Sequence, residues 1–182
     1  MARAFLSVLF LLLLAAPAWA GPFGTEMGDK PEKYQIFVDS GYFKLAKTMP
    51  KQHSAFDQYF LCFGAEGLEA VSGSTEKSTN IQEILKSYET LKAELQKKYG
   101  DPADMHEYLS SEKEFQEQIE LLKGALSGER KHETVWNKNL PDNLADIKLW
   151  VATDSDRKKL GVMLLYRYKN FKSDAQRNMD AL

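Results

Sequence analysis

With 182 residues, a formal charge of −2 and 43% hydrophobic content, the chain has the composition of a protein that folds on an ordinary apolar core. The balanced charge leaves no electrostatic footprint for nucleic acid or an anionic membrane surface. A lone cysteine, Cys62, excludes an internal disulfide, so stability has to come from packing.

The first twenty residues read as a secretory signal peptide. Arg3 precedes the apolar run 5–16, and Ala18-Trp19-Ala20 has the small-x-small pattern of a cleavage site. The run is shorter than the roughly 20 residues a membrane span needs. Cleavage is expected after Ala20, giving a periplasmic or secreted protein with no transmembrane span. The cleavage point carries no cysteine to bear a lipid. Residues 21–171 are expected to form one α+β domain, with 23–72 and 80–168 as two candidate unequal halves, followed by a polar tail over 172–182.

After the loop chemistry of 21–33, in which Pro31-Glu32 can open a short helical turn, strand-like runs at 34–38 and 42–47 flank Asp39-Ser40-Gly41 and predict a hairpin. A second hairpin is predicted from 56–63 and 68–71 across 64–67, its first strand apolar on both faces near its end and therefore an inner strand. The turn-rich stretch 72–79 is expected to be a mobile loop.

The best-defined element begins at Asn80. Ile81, Ile84, Leu85, Tyr88, Leu91, Leu95 and Tyr99 fall on one arc at helical spacing, and Lys92 alone intrudes on it. Asn80 is placed to cap the first turn, with Glu83 at capping-box spacing. Lys97 and Lys98 suit the negative end of the helix dipole, Gly100 can take a left-handed cap, and Pro102 forbids continuation. A second helix is predicted over 111–128, from Ser111 with Glu114 and the stripe Phe115, Ile119, Leu122 and Leu126. Alternation then predicts strands at 131–137, around Ile147, Leu149 and Val151, and over 162–169, the last two pairing antiparallel. The expected fold class is α+β: two main helices packed on one face of an antiparallel sheet.

The motifs of catalysis and metal binding are incomplete in this sequence. His106-Glu107 and His132-Glu133 lack the second histidine of a zinc-protease helix, and Asp154-Ser155-Asp156 departs from a calcium loop at Lys158, Lys159 and Leu165. Cys62 lies among Tyr59, Phe60, Leu61 and Phe63, the setting of a buried structural thiol. No catalytic, cofactor or metal residue is assigned. Trp150 has the opposite parity from Ile147, Leu149 and Val151, beside Lys148, so this pair is the candidate contact surface for a partner.

The string Leu95-Gln96-Lys97-Lys98-Tyr99-Gly100-Asp101-Pro102, then Trp136 and the strands around Ile147 and Leu149 and around Leu164 and Tyr166, resembles a group of uncharacterised exported bacterial proteins. Pro22-Phe23-Gly24 with Gly28, and Phe56, Tyr59, Gly67 and Leu68, are similar to the opening and middle of that group. The resemblance covers most of the chain after residue 20 and implies a bacterial envelope protein without implying an activity. A weaker similarity is to small outer-membrane-assembly lipoproteins, which place helices on a three-stranded antiparallel sheet. The expected function is a non-catalytic binding or interaction module whose partner is another envelope protein. The alternative is a small-ligand carrier or enzyme whose site assembles from residues such as His106, His132 and Asp154. The first residue of the exported protein, read by N-terminal sequencing, is expected to be Gly21; an N-terminus at Met1 would remove the signal-peptide assignment.

Overall fold

Successive side chains of a strand point to opposite faces, so the strands of this chain sort their residues by parity. The computed structural model describes residues 21–106, 132–154, 156, 158–173 and 176–177. Its strands are β1 (Ile36–Ser40), β2 (Phe43–Ala46), β3 (Gln58–Gly64), β4 (Gly67–Ser74), β5 (Asp104–His106), β6 (Glu133–Trp136), β7 (Leu144–Thr153) and β8 (Leu160–Tyr168). They form one sheet in the order β1-β2-β3-β4-β8-β7-β6-β5, and every neighbouring pair is antiparallel.

A single long α-helix, α1 (Ile81–Tyr99), accompanies this sheet among the described residues. The fold is therefore mostly β, and the expectation of an α+β protein built on two main helices is corrected. Its predicted second helix, 111–128, and the signal peptide, 1–20, lie outside the described residues. The two candidate halves share one sheet, because β4 pairs with β8 from Ala70↔Arg167 to Ser74↔Met163. The residues after Pro102 add the short strand β5, which the sequence pattern did not announce.

Local signals shape α1 closely. Asn80 Oδ1 accepts from the backbone N–H of Gln82 and of Glu83, at 3.1 and 3.4 Å. The return arm differs from a simple capping box: Ser78 Oγ donates to Glu83 Oε2 at 3.1 Å and accepts from Asn80 N at 2.9 Å, so Ser78 stands between the two. Gly100 has φ 81° and ψ −167°, a conformation open to glycine that differs from the expected left-handed cap. Its carbonyl accepts from Trp136 Nε1 at 3.0 Å, tying the helix end to β6. Lys92 lies along Tyr88 and pairs with Glu89 at 2.8 Å.

The helix buries Ile84, Leu85, Tyr88, Leu91, Leu95 and Tyr99 over β7 and β8, a gross contribution of about 10–20 kcal/mol. Tyr88 keeps its hydroxyl satisfied at depth through a 2.6 Å bond with Thr134 Oγ1. The same face of the β3 and β4 half is filled from the N-terminal side. Phe23 stands edge-on to Phe56, Tyr59 and Tyr166, with ring centroids 5.6, 5.1 and 5.6 Å away. Phe23 takes φ 55°, a conformation rare outside glycine, and its burial in this cluster holds it there.

The stretch expected to be a mobile loop, 72–79, is tied down instead. Ser72 to Ser74 complete β4, Thr75 N donates to Val162 O at 3.0 Å, and Ser78 bridges to Leu160. Polar side chains did not prevent strand formation because β3 and β8 supply ladder partners on both sides. No helix of the described residues is long and apolar enough to cross a membrane.

Leu91 is 2% exposed at the centre of the helix stripe. Leu91→Asp would bury a charge without a partner and is expected to cost at least about 3 kcal/mol in chemical denaturation; near-wild-type stability would show that the stripe is not core.

Candidate functional site

The register sorts the strands into two faces. Tyr59 and Leu61 of β3, Val71 of β4, Ile147 and Leu149 of β7, and Leu164 and Tyr166 of β8 point to the side of α1 and Phe23. The opposite parity places Phe43 across from Cys62, Leu45 across from Phe60, Ser72 across from Leu165 and Trp150 across from Met163 on the other face. That second face is also largely apolar, and α1 does not reach it.

A cavity of about 490 Å³ opens there, lined by Phe43, Phe60, Cys62, Ala70, Trp150, Met163 and Leu165 on the sheet and by Phe171, Ser173 and Arg177 on the segment that follows β8. Its size is that of a small-molecule site. Phe43 remains 55% exposed beside it.

Two guanidiniums stand on this face. Arg167 donates from Nε and Nη2 to the two carboxylate oxygens of Asp146, at 2.8 and 2.6 Å, and lies 5.1 Å from the ring centroid of Phe171. Arg177 stacks on Tyr42, with its guanidinium carbon 3.5 Å from the ring centroid, and donates to the Tyr42 hydroxyl and the Lys172 carbonyl. It also donates to Glu69 Oε2 at 3.0 Å, and the Tyr42 hydroxyl donates to the same oxygen at 3.1 Å.

Local backbone places Glu69. The β3–β4 register runs from Cys62↔Ala70 to Phe63↔Leu68, so Glu69 is the extra residue of a β-bulge. Its carboxylate lies over Gly64, where a Cβ would meet Oε1 at 1.6 Å. Any side chain at position 64 would expel it.

Burial pushes the Cys62 thiol up to about 11, against the smaller lowering effects of the Tyr42 hydroxyl and of Arg177. Burial likewise raises the Tyr42 phenol, helped by the neighbouring Cys62 and Glu69 and opposed by Arg177. At neutral pH the cavity floor is therefore uncharged at Cys62 and at Tyr42. The arrangement can desolvate a hydrocarbon body and present cations to an anion.

Trp150 is half-buried on this face, in the cavity wall, while Lys148 Nζ sits 5.7 Å from its ring centroid. Lys148 is engaged by Glu133 at 2.6 Å, which directs its ammonium along the sheet. The residues of the alternative site have separate surroundings. His132 packs its ring 4.4 Å from that of Tyr88 on the helix side, His106 stands opposite Glu133 in the ladder, and Asp154 accepts from the backbone N–H of Lys158 and Lys159 in the β7–β8 turn. No group of three metal-ligating side chains forms among the described residues.

Sequence reasoning missed Glu69, Met163, Arg167 and Arg177. A signal was present in β8, where both parities are apolar through Met163 and Leu165 and therefore call for two dry faces. No local signal joins Arg177 to Glu69, 108 positions away. No protein-family model, curated protein or solved structure matches the chain, so the chemistry of the face carries the functional argument.

At pH 8 native Cys62 is expected to react with iodoacetamide about 100-fold more slowly than in denatured protein, since a thiol near 11 is almost wholly protonated there. Equal rates, followed by mass spectrometry, would place the thiol outside the protected cavity floor.

Proposed function

We propose that this chain is a non-catalytic binding module of the bacterial envelope that engages its ligand through the sheet face opposite α1. One observation carries the reading: an apolar cavity, with Trp150 in its wall, on a face that the helix leaves uncovered. An apolar patch of this kind on a folded protein marks a contact surface more often than a neutral one. Half-buried tryptophan in such a wall offers a large contact area at little cost in side-chain freedom.

Placement in the envelope is supported by the signal-like pattern of residues 1–20 and by the resemblance to exported bacterial proteins. The similarity to outer-membrane-assembly lipoproteins contributes less, because those domains use a three-stranded sheet and this one has eight strands. A concave cavity of this volume, as opposed to a flat apolar surface, favours a small ligand over an extended protein partner.

Trp150→Ala is expected to cost less than about 3 kcal/mol in denaturation, because the side chain lies outside the helix-side core. A photo-crosslinking residue at position 150 in growing cells is expected to give a discrete adduct, protein or lipid, that is absent when the same group replaces exposed Lys86 on α1. Adducts at neither position, or equally at both, would remove this face as the binding surface.

A further inference from the structure

The cavity on the open face has two chemically unlike ends. Met163 and Arg167 lie on the same face of β8 four residues apart, a separation of roughly 13 Å along the strand. Around Met163 the walls are Trp150, Phe60 and Leu165, hydrocarbon and ring surface. Around Arg167 stand Phe171 and a second guanidinium, Arg177.

Both guanidiniums are paired, and the way they are paired fixes the sign of the surface. Arg167 and Arg177 line the cavity, whereas Asp146 and Glu69 do not. The arginine side chains keep 37% and 24% exposure, against 16% for Asp146 and 3% for Glu69. Asp146 thus sits behind Arg167 and orients it, leaving that cation as the half presented to a ligand, while Arg177 is held by Glu69, Tyr42 and the Lys172 carbonyl beside it. Asp146 occupies Nε and Nη2 of Arg167, so the remaining donors of that rigid fork are directed away from the pair. Because each cation is already partly neutralised, the residual field suits one negative charge better than two.

We infer that the cavity takes a single-chain amphiphile with one carboxylate, its alkyl chain laid along β8 between Trp150, Met163 and Phe60 and its head at Arg167. This rests on the binding-face reading above and adds the class of ligand. The cavity volume falls within the range of sites that enclose small molecules. The walls in contact with the chain offer few hydrogen-bonding groups, which selects hydrocarbon over a polar body.

The test titrates the exported protein, from Gly21 onward, with dodecanoate, 1-dodecanol and dodecyltrimethylammonium, each below its aggregation concentration, by calorimetry and tryptophan emission. Dodecanoate is expected to saturate one site, with the neutral and cationic chains at least about tenfold weaker. The double variant Asp146→Asn/Arg167→Gln removes both charges together and is expected to weaken dodecanoate about tenfold while leaving dodecanol unchanged. Should that variant fail to fold, Trp150→Ala is expected to weaken dodecanoate and dodecanol alike by a similar factor. Equal binding of all three chains would overturn the anionic head and leave the binding face standing. Dodecanoate binding that neither variant alters would overturn the assignment to this cavity. Absence of dodecanoate binding would overturn the amphiphile, while crosslinking at position 150 decides the face independently.

Discussion

A helix with its side chains is about 10 Å across, whereas eight strands at about 4.8 Å spacing span roughly 34 Å. This mismatch governs the architecture. α1 rests on β7 and β8 and cannot shield the rest of even one face. The β3 and β4 half is closed by Phe23 and Phe56, brought over the sheet by the N-terminal turn and the connection before β3. Phe23 accepts an unusual backbone conformation at a place that no regular element fills among the described residues. Nothing of α1 is left for the opposite face, whose character is then set by the second parity of the strands.

Among the described residues, that second parity is held in order by ion pairs more than by a packed layer. Glu69 is almost wholly buried, and a carboxylate at that depth is tolerable only with good geometry and several donors. Tyr42, Arg177 and the Lys172 backbone N–H supply them from two distant parts of the chain. Such a pair is a weak source of net stability, yet it specifies where the segment after β8 must lie. Through it, the bulge in β4 and the space over Gly64 determine one wall of the cavity.

What could be read from the sequence was what local physics decides. The caps and apolar stripe of α1 follow from residues within a few positions of one another, and the hairpins β1–β2, β3–β4 and β7–β8 follow from alternation around short turns. The pairing of β4 with β8 joins residues about ninety positions apart and has no local signature, which is why the local pattern suggested two unequal halves. Strand β5 is only three residues long, too short for any period to register. Trp150 could be assigned to a face by parity alone. The company it keeps there, Met163 and the two arginines, depends on register and on a contact 108 positions long.

The apolar second face has a consequence for how the strands should be understood. In an antiparallel sheet with one solvated side, outward positions are usually polar. Here β3 presents Phe60 and Cys62, and β8 presents Met163 and Leu165, on the side away from α1. Had Phe60, Met163 and Leu165 served only to complete a core, they would be enclosed as fully as Leu61 and Val71, which have no exposure at all. They are instead left around an open cavity, with half-buried Trp150 in its wall and Phe43 more than half exposed at its side. Apolar surface kept at this degree of openness costs solvation in the free protein, and burial against a ligand recovers it. The same face carries Arg167, whose counter-charge Asp146 is the less exposed of the pair, so the surface that gains most from being covered is also the one with a preferred sign of partner.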